Sequence, residues 1–406
     1  MLRKLIKLGF FSYLSLILAL IIFSFNGCND DSPQSGLSIV SFSPSQGNSE
    51  TNVIISGSGF SPKITDNIVK VNNVSVTVIS ASTTSITILI NEEVTTGAIS
   101  IQVSGKTVTS KDVFTKLPAK WNQLNDVSST GRQAAVGFAI GSKGYIGTGY
   151  NGSNYLNDFW EFDPSTGAWT QKANFSGEAR YYATGFSLNG KGYIGTGYAF
   201  DYYFKDFWEY DPSQNKWTQK ADFGGVGRDY ATGFSIGAYG YIGAGFDGTS
   251  DRTDFWKYDP NFNAWSQVAS YLGTGRRRLF SFVIGSKAYA GGGTTKNVDF
   301  HSDFWEYEPI ANSWIQKSNT GIPFNSASSF SIGLNGFVGT SGLGSNISKE
   351  FWRYNSTTNL WNRKIDFAGA ASYGAVGFSI ANKGYFVSGY DYPNGIFTKH
   401  TWEYLP

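Results

Sequence analysis

Four arginines stand in register, because Arg132, Arg180, Arg228 and Arg276 each follow a tryptophan (Trp121, Trp169, Trp217, Trp265) by eleven residues. A guanidinium pairs bidentately with carboxylate, so a recurring Arg is the strongest recognition chemistry in the chain. One and two periods of 48 residues beyond Arg276 stand Phe324 and Ser372. Variable, turn-rich segments between these markers carry Tyr155, Tyr202, Tyr203, Phe204, Phe300, His301, Tyr392 and Phe397. Rings in such segments can stack on sugar or peptide surfaces. The candidate ligand-binding set is therefore Arg132, Arg180, Arg228 and Arg276 with Tyr155, Tyr202, Tyr203, Phe300, His301 and Tyr392. A second reading stays open: a residue repeated in register serves structure as often as binding, and these arginines equally suit bonds to loop carbonyls between repeats.

Little else in the chain is built for catalysis. His301 and His400 are the only histidines, Cys28 the only cysteine and Met1 the only methionine. The body can form no internal disulfide and offers no thiol ligand, and neither a metal nor another cofactor is expected. Charged residues make up 15% of the chain, well below the usual quarter, while aromatics reach 17% and Gly counts 49. Without Arg3, Lys4 and Lys7 at the N-terminus, 29 basic residues face 30 acidic ones. That balance argues against nucleic acid, whose binding needs a basic field.

Arg3, Lys4 and Lys7 precede an apolar run from Leu8 to Phe25, which stops at Asn26-Gly27-Cys28. This pattern resembles a bacterial lipoprotein signal. The resemblance implies that residues 1–27 are removed and Cys28 is acylated, leaving 28–36 as a tether and the membrane touched only through the lipid. An uncleaved anchor is the other reading of a run this long. Asn29-Asp30-Asp31-Ser32 resembles the acidic signal that sends some lipoproteins to the cell surface. Both readings place the body outside the cytoplasm, on the outer membrane if the lipid signal operates.

The elements that must position the candidate residues are strands. From Leu37 to about Leu117, short β-branched runs (Ile39 to Phe42, Asn52 to Ile55, Val74 to Ile79, Ser85 to Ile90, Ala98 to Val103) alternate with polar turns. That is the signal of a small β-sandwich. Ser43-Pro44-Ser45-Gln46-Gly47, Ser56-Gly57-Ser58-Gly59-Phe60 and Val113-Phe114 resemble the immunoglobulin-like IPT/TIG family over 37–117. Gly57 and Gly59 mark a bend that a Cβ would resist. The module is read as a spacer.

From Trp121 onward the chain repeats itself. An aromatic-Trp pair recurs at Trp160, Trp208, Trp256, Trp305 and Trp352, with Thr-Trp at Trp402, and a second Trp follows nine residues later at Trp169, Trp217, Trp265, Trp314 and Trp361. The period of about 48 residues, with four strand-like runs in each, resembles kelch propeller blades, although Gly-Thr-Gly or Gly-Ala-Gly mostly stands where that family has Gly-Gly. The expected fold class is all-β: an immunoglobulin-like sandwich, then a six-bladed kelch-type propeller over 118–406. Trp402 has no partner Trp after it, whereas Trp121 has the register of an outer strand lacking a blade. Pairing the two closes the ring and hides two sheet edges. All twelve Trp then serve as core.

In a four-stranded meander, the second-to-third loops share a face with the links from one outer strand to the next inner strand. The arginines and loop aromatics should thus gather on one face, there to bind an acidic glycan or protein segment. Two enzyme families resemble this architecture. Galactose oxidase-like proteins need a cross-linked cysteine that this body lacks. The six-bladed sialic acid mutarotase implies a carboxylate substrate held by arginine, with Glu178 or Asp229 as acid or base; it is the alternative to a non-enzymatic binding protein.

Overall fold

The computed structural model describes residues 36–127, 130–343 and 346–406. The expected signal, Cys28 and nearly all of the tether lie outside the described residues.

The first unit is a two-sheet sandwich. One sheet orders Ser38–Ser43, Asn52–Ser58, Ser85–Leu89 and Thr77–Ala81; the other orders Gln46–Gly47, Lys106–Lys116, Gly97–Val103, Asn67–Val71 and Val74–Ser75. Alternating β-branched residues from both inner faces meet in one core of Val53, Ile55, Val71, Ile86, Ile88, Ile99, Ile101 and Phe114. The bend at Gly57 is a close approach, since a Cβ there would sit 2.0 Å from the Ser38 carbonyl oxygen. The run from Val74 to Ile79 divides: Val74–Ser75 turns back on Asn67–Val71, and Thr77–Ala81 joins the opposite sheet.

Among the described residues the second unit contains six main sheets, each built on a four-strand antiparallel array, and two small two-stranded hairpins; the sixth main sheet also takes the short strand Ser372–Tyr373. In the first, Val136–Ile140, Lys143–Gly147, Phe159–Asp163 and Ala168–Gln171 pair in sequence order. The sixth takes Val376–Ile380, Lys383–Asp391 and Ile396–Leu405 and borrows Lys120–Leu124 as its outer strand, with Trp121 opposite Tyr404. Trp121 then packs within 5.0–5.2 Å of the rings of Phe351, Phe367, Phe386 and Tyr404. The seam between the propeller's first and last strands is thus filled by the same kind of aromatic wedge as the other sheet interfaces.

Around the axis the backbone closes a second ring. Just before each inner strand one residue takes left-handed φ: Ala134, Tyr182, Tyr230, Arg278, Ser326 and Gly374. Each donates its amide to the carbonyl of the one before, at 2.8–3.4 Å, and Ala134 completes the circle by donating to Gly374. Left-handed φ aims each N–H sideways along the ring and not along its own strand.

The sandwich docks on the opposite end of the propeller. The Ser49 amide donates to the Pro406 carbonyl, Asn382 Nδ2 donates to the Glu50 carbonyl, and Asn335 Nδ2 donates to Glu50 Oε1 at 3.0 Å. Glu92 pairs with both Arg353 of the fifth sheet and Lys364 just after its outer strand. Burial raises the pKa of the Glu50 carboxyl despite Arg353 and Asn335 nearby.

Candidate functional site

The repeated arginines lie at the expected end of the propeller but below its surface. Arg132, Arg180 and Arg228 are 0% exposed and Arg276 is 1% exposed. Each forms a two-pronged pair with an aspartate of its own sheet's second-to-third loop: Asp158, Asp206, Asp254 and Asp303 respectively. The bonds measure 2.5–2.9 Å in the first three. The same aspartates accept the indole N–H of Trp160, Trp208, Trp256 and Trp305. Burial alone would raise Asp158, Asp254 and Asp303, but the arginine bonds outweigh it and hold all three below the usual carboxylate range. These guanidiniums bind the protein itself. Arg132, Arg180, Arg228 and Arg276 are therefore corrected from ligand contacts to blade fasteners, because a 0–1% exposed fork already filled by carboxylate has nothing left for a ligand.

The loop aromatics do reach this face. Tyr202 and Tyr392 are 56% and 44% exposed, and Tyr155, Tyr203 and Phe300 are half-buried. Tyr202, Tyr203 and Phe300 sit on two small hairpins, Tyr198–Ala199 with Tyr202–Tyr203 and Thr294–Thr295 with Asp299–Phe300. His301 bonds Thr295 Oγ1 through Nε2, and burial, then Arg276, pushes its pKa down. His400, in the sixth sheet, bonds Asp126 instead. Among the described residues no group of three metal-binding side chains forms. Glu178 is exposed, and its carbonyl accepts the Arg180 Nε.

The residues brought together at the axis are different ones. A cup of about 130 Å³ opens inside the amide ring, lined by Tyr182, Tyr230, Arg278 and small residues such as Ala135, Ala183 and Ala231. A side cavity of about 170 Å³ shares Tyr182 and Arg278 and adds Asn325, Phe300, Tyr373 and Tyr392. Tyr182 and Tyr230 stack at 3.6 Å. The Arg278 guanidinium lies 4.3 Å over the Tyr230 ring and donates to its hydroxyl at 2.7 Å. Burial raises both phenols, so they stay protonated donors at neutral pH.

Arg278 forms no salt bridge among the described residues, and its Nε and the Asn325 Oδ1 are buried without a partner. Beside it, Asp229 is 6% exposed with one carboxylate oxygen unbonded. Burial pushes its pKa up to about 7, against the pull of Arg277 and Arg278. Arg277 itself is paired to Asp251 at 2.6 Å. The signal for this cup was present in the repeat: positions 134, 182, 230, 278, 326 and 374 hold Ala, Tyr, Tyr, Arg, Ser and Gly. A place that varies while its neighbours recur is free of the structural duty that fixes them.

Residues 37–116 match the family model for the IPT/TIG domain, and residues 149–176 match the Kelch motif. A solved structure described as "Structure of YjhT" superposes with a TM-score of 0.60 at 15% identity, covering 68% of this chain and 95% of that one. No curated protein matches the chain. The chain thus carries an N-terminal IPT/TIG domain followed by a kelch-type β-propeller. Both module types commonly mediate protein interactions, which makes binding the coarse function.

Proposed function

We propose that the propeller binds a carboxylate-bearing ligand, an acidic sugar, in the axial cup. The observation that carries this is Arg278: the other arginines facing this end have carboxylate partners, whereas its guanidinium reaches the cup mouth without one. A carboxylate bonding that fork would replace water at an already desolvated cation, and Tyr182, Tyr373 and Tyr392 offer ring faces and hydroxyls to the sugar. Arg278→Ala should weaken N-acetylneuraminic or glucuronic acid binding at least tenfold by calorimetry and leave the melting temperature within a few degrees. Equal affinity in the variant would refute the reading. Lipid anchoring at Cys28 on the outer membrane belongs to the same proposal, supported by the Arg3-to-Cys28 pattern; palmitate labelling that persists in Cys28→Ser would remove it.

One observation favours a second reading, exchange of sugar anomers. That reaction moves a proton between the ring oxygen and the anomeric hydroxyl, and a group titrating near neutrality serves it best. Asp229, pushed up to about 7 beside Arg278, is such a group. If the wild type accelerates exchange in NMR and Asp229→Asn does not, the protein is an enzyme; no acceleration by the wild type leaves it a binding protein.

A further inference from the structure

Beyond the cup, the same face carries a connected series of rings. From Tyr182 it runs to Tyr181 at 4.1 Å, to Tyr155 at 5.3 Å and to Phe200 at 4.9 Å between centroids. A branch leaves Tyr181 through Tyr150 at 5.6 Å and reaches Phe397 at 5.9 Å. Phe200, at the outer end, is 71% exposed. These rings cross from the second sheet to the first and sixth, so no single sheet needs them for its own core. The cations beneath them, Arg132 and Arg180, are committed to Asp158 and Asp206. The track therefore offers apolar faces and hydroxyls but no free positive charge, while Arg278 offers one charge at its inner end.

That distribution of charge selects a ligand class. A uniformly acidic polymer would leave its later carboxylates unpaired over aromatic rings, which is costly. A neutral polymer would leave Arg278 unanswered. We propose that this face takes an oligosaccharide with one acidic sugar at its end, seated on Arg278, and neutral sugars behind it stacked along Tyr181, Tyr155 and Phe200. The proposal rests on the cup reading above and extends it from a single sugar to a chain.

The test compares chain lengths on the purified full-length protein. The probes are free N-acetylneuraminic acid, 3′-sialyllactose and lactose, and in parallel glucuronic acid and a trisaccharide ending in glucuronic acid. In at least one series the acid-capped trisaccharide should bind about tenfold tighter than the free acid. Tyr155→Ala with Phe200→Ala should remove that gain while changing affinity for the free acid by less than about twofold; Tyr155→Phe should keep it. Equal affinity for free acid and trisaccharide, with both lost in Arg278→Ala, would overturn the chain proposal and leave the cup reading standing. Length-dependent binding that ignores Arg278→Ala would instead overturn the cup reading, and the acid-capped class with it. Absence of binding in both series overturns both.

Discussion

A buried guanidinium is costly to desolvate and costlier to leave unmatched, so Arg228 and its equivalents act as all-or-nothing fasteners. Arg228→Ala strands Asp254 and should cost about 3–5 kcal/mol in chemical denaturation, whereas removing both charges with Arg228→Met and Asp254→Leu should cost clearly less. At Asp229 the sign is reversed. Its folded pKa lies above the ordinary carboxylate value, at about 7, so the folded state holds the proton more tightly and stability falls as pH rises from about 4 to 7. Thermal melts of Asp229→Asn should lack this share of the decline; an identical pH profile in variant and wild type would contradict it. The arginine spacing was legible in the sequence, and so was a structural duty beside a binding one, but the choice between the two was not. Asp158, Asp206, Asp254 and Asp303 stand two residues before each Trp, and only three-dimensional pairing shows that each arginine is already answered. Arg278 hid for the complementary reason: it interrupts a column of small and aromatic residues and repeats nowhere.

Strand by strand, the propeller was readable because one physical problem is solved in each blade. The second Trp of a blade reaches a neighbouring link: Trp217, Trp265, Trp314 and Trp361 donate to the carbonyls of Ala173, Ala221, Ala269 and Ser318. A residue that must fill the same gap each time recurs in the same register, so the period and strand order are legible in the sequence itself. The sandwich was less transparent. In Asn67–Val71 and Lys106–Lys116 the strand pattern is weak, since Lys70, Lys106 and Lys111 interrupt runs whose inward residues, such as Val69, Val71 and Phe114, are nonetheless buried. Trp121 tests the borrowed strand. Trp121→Ala removes a ring from a closed aromatic cluster and should cost about 3–5 kcal/mol, with the earliest hydrogen exchange along Lys120–Leu124 and Ile396–Leu405. Uniform protection across all six sheets in that variant would argue that the seam is no weaker than the other interfaces.

On the scale of the whole molecule, the sandwich grips the seam from the end opposite the cup. Ser49 holds Pro406, just past the last strand of the sixth sheet, Glu50 bridges the fifth and sixth sheets, and Glu92 is matched to Arg353 of the fifth and to Lys364 just beyond it. Glu92→Arg should separate the two units, seen as a larger radius in small-angle scattering, while ligand affinity at the cup stays unchanged. Once those contacts part, tension applied between an object held at the cup and the N-terminal side of the sandwich would enter the ring at Lys120. It would run lengthwise along a strand bonded from Lys120 to Leu124 against its antiparallel neighbour. Rungs pulled in that direction must yield together and not one after another. The place where the propeller's first and last strands meet is therefore also where the molecule is best arranged to resist being dragged open.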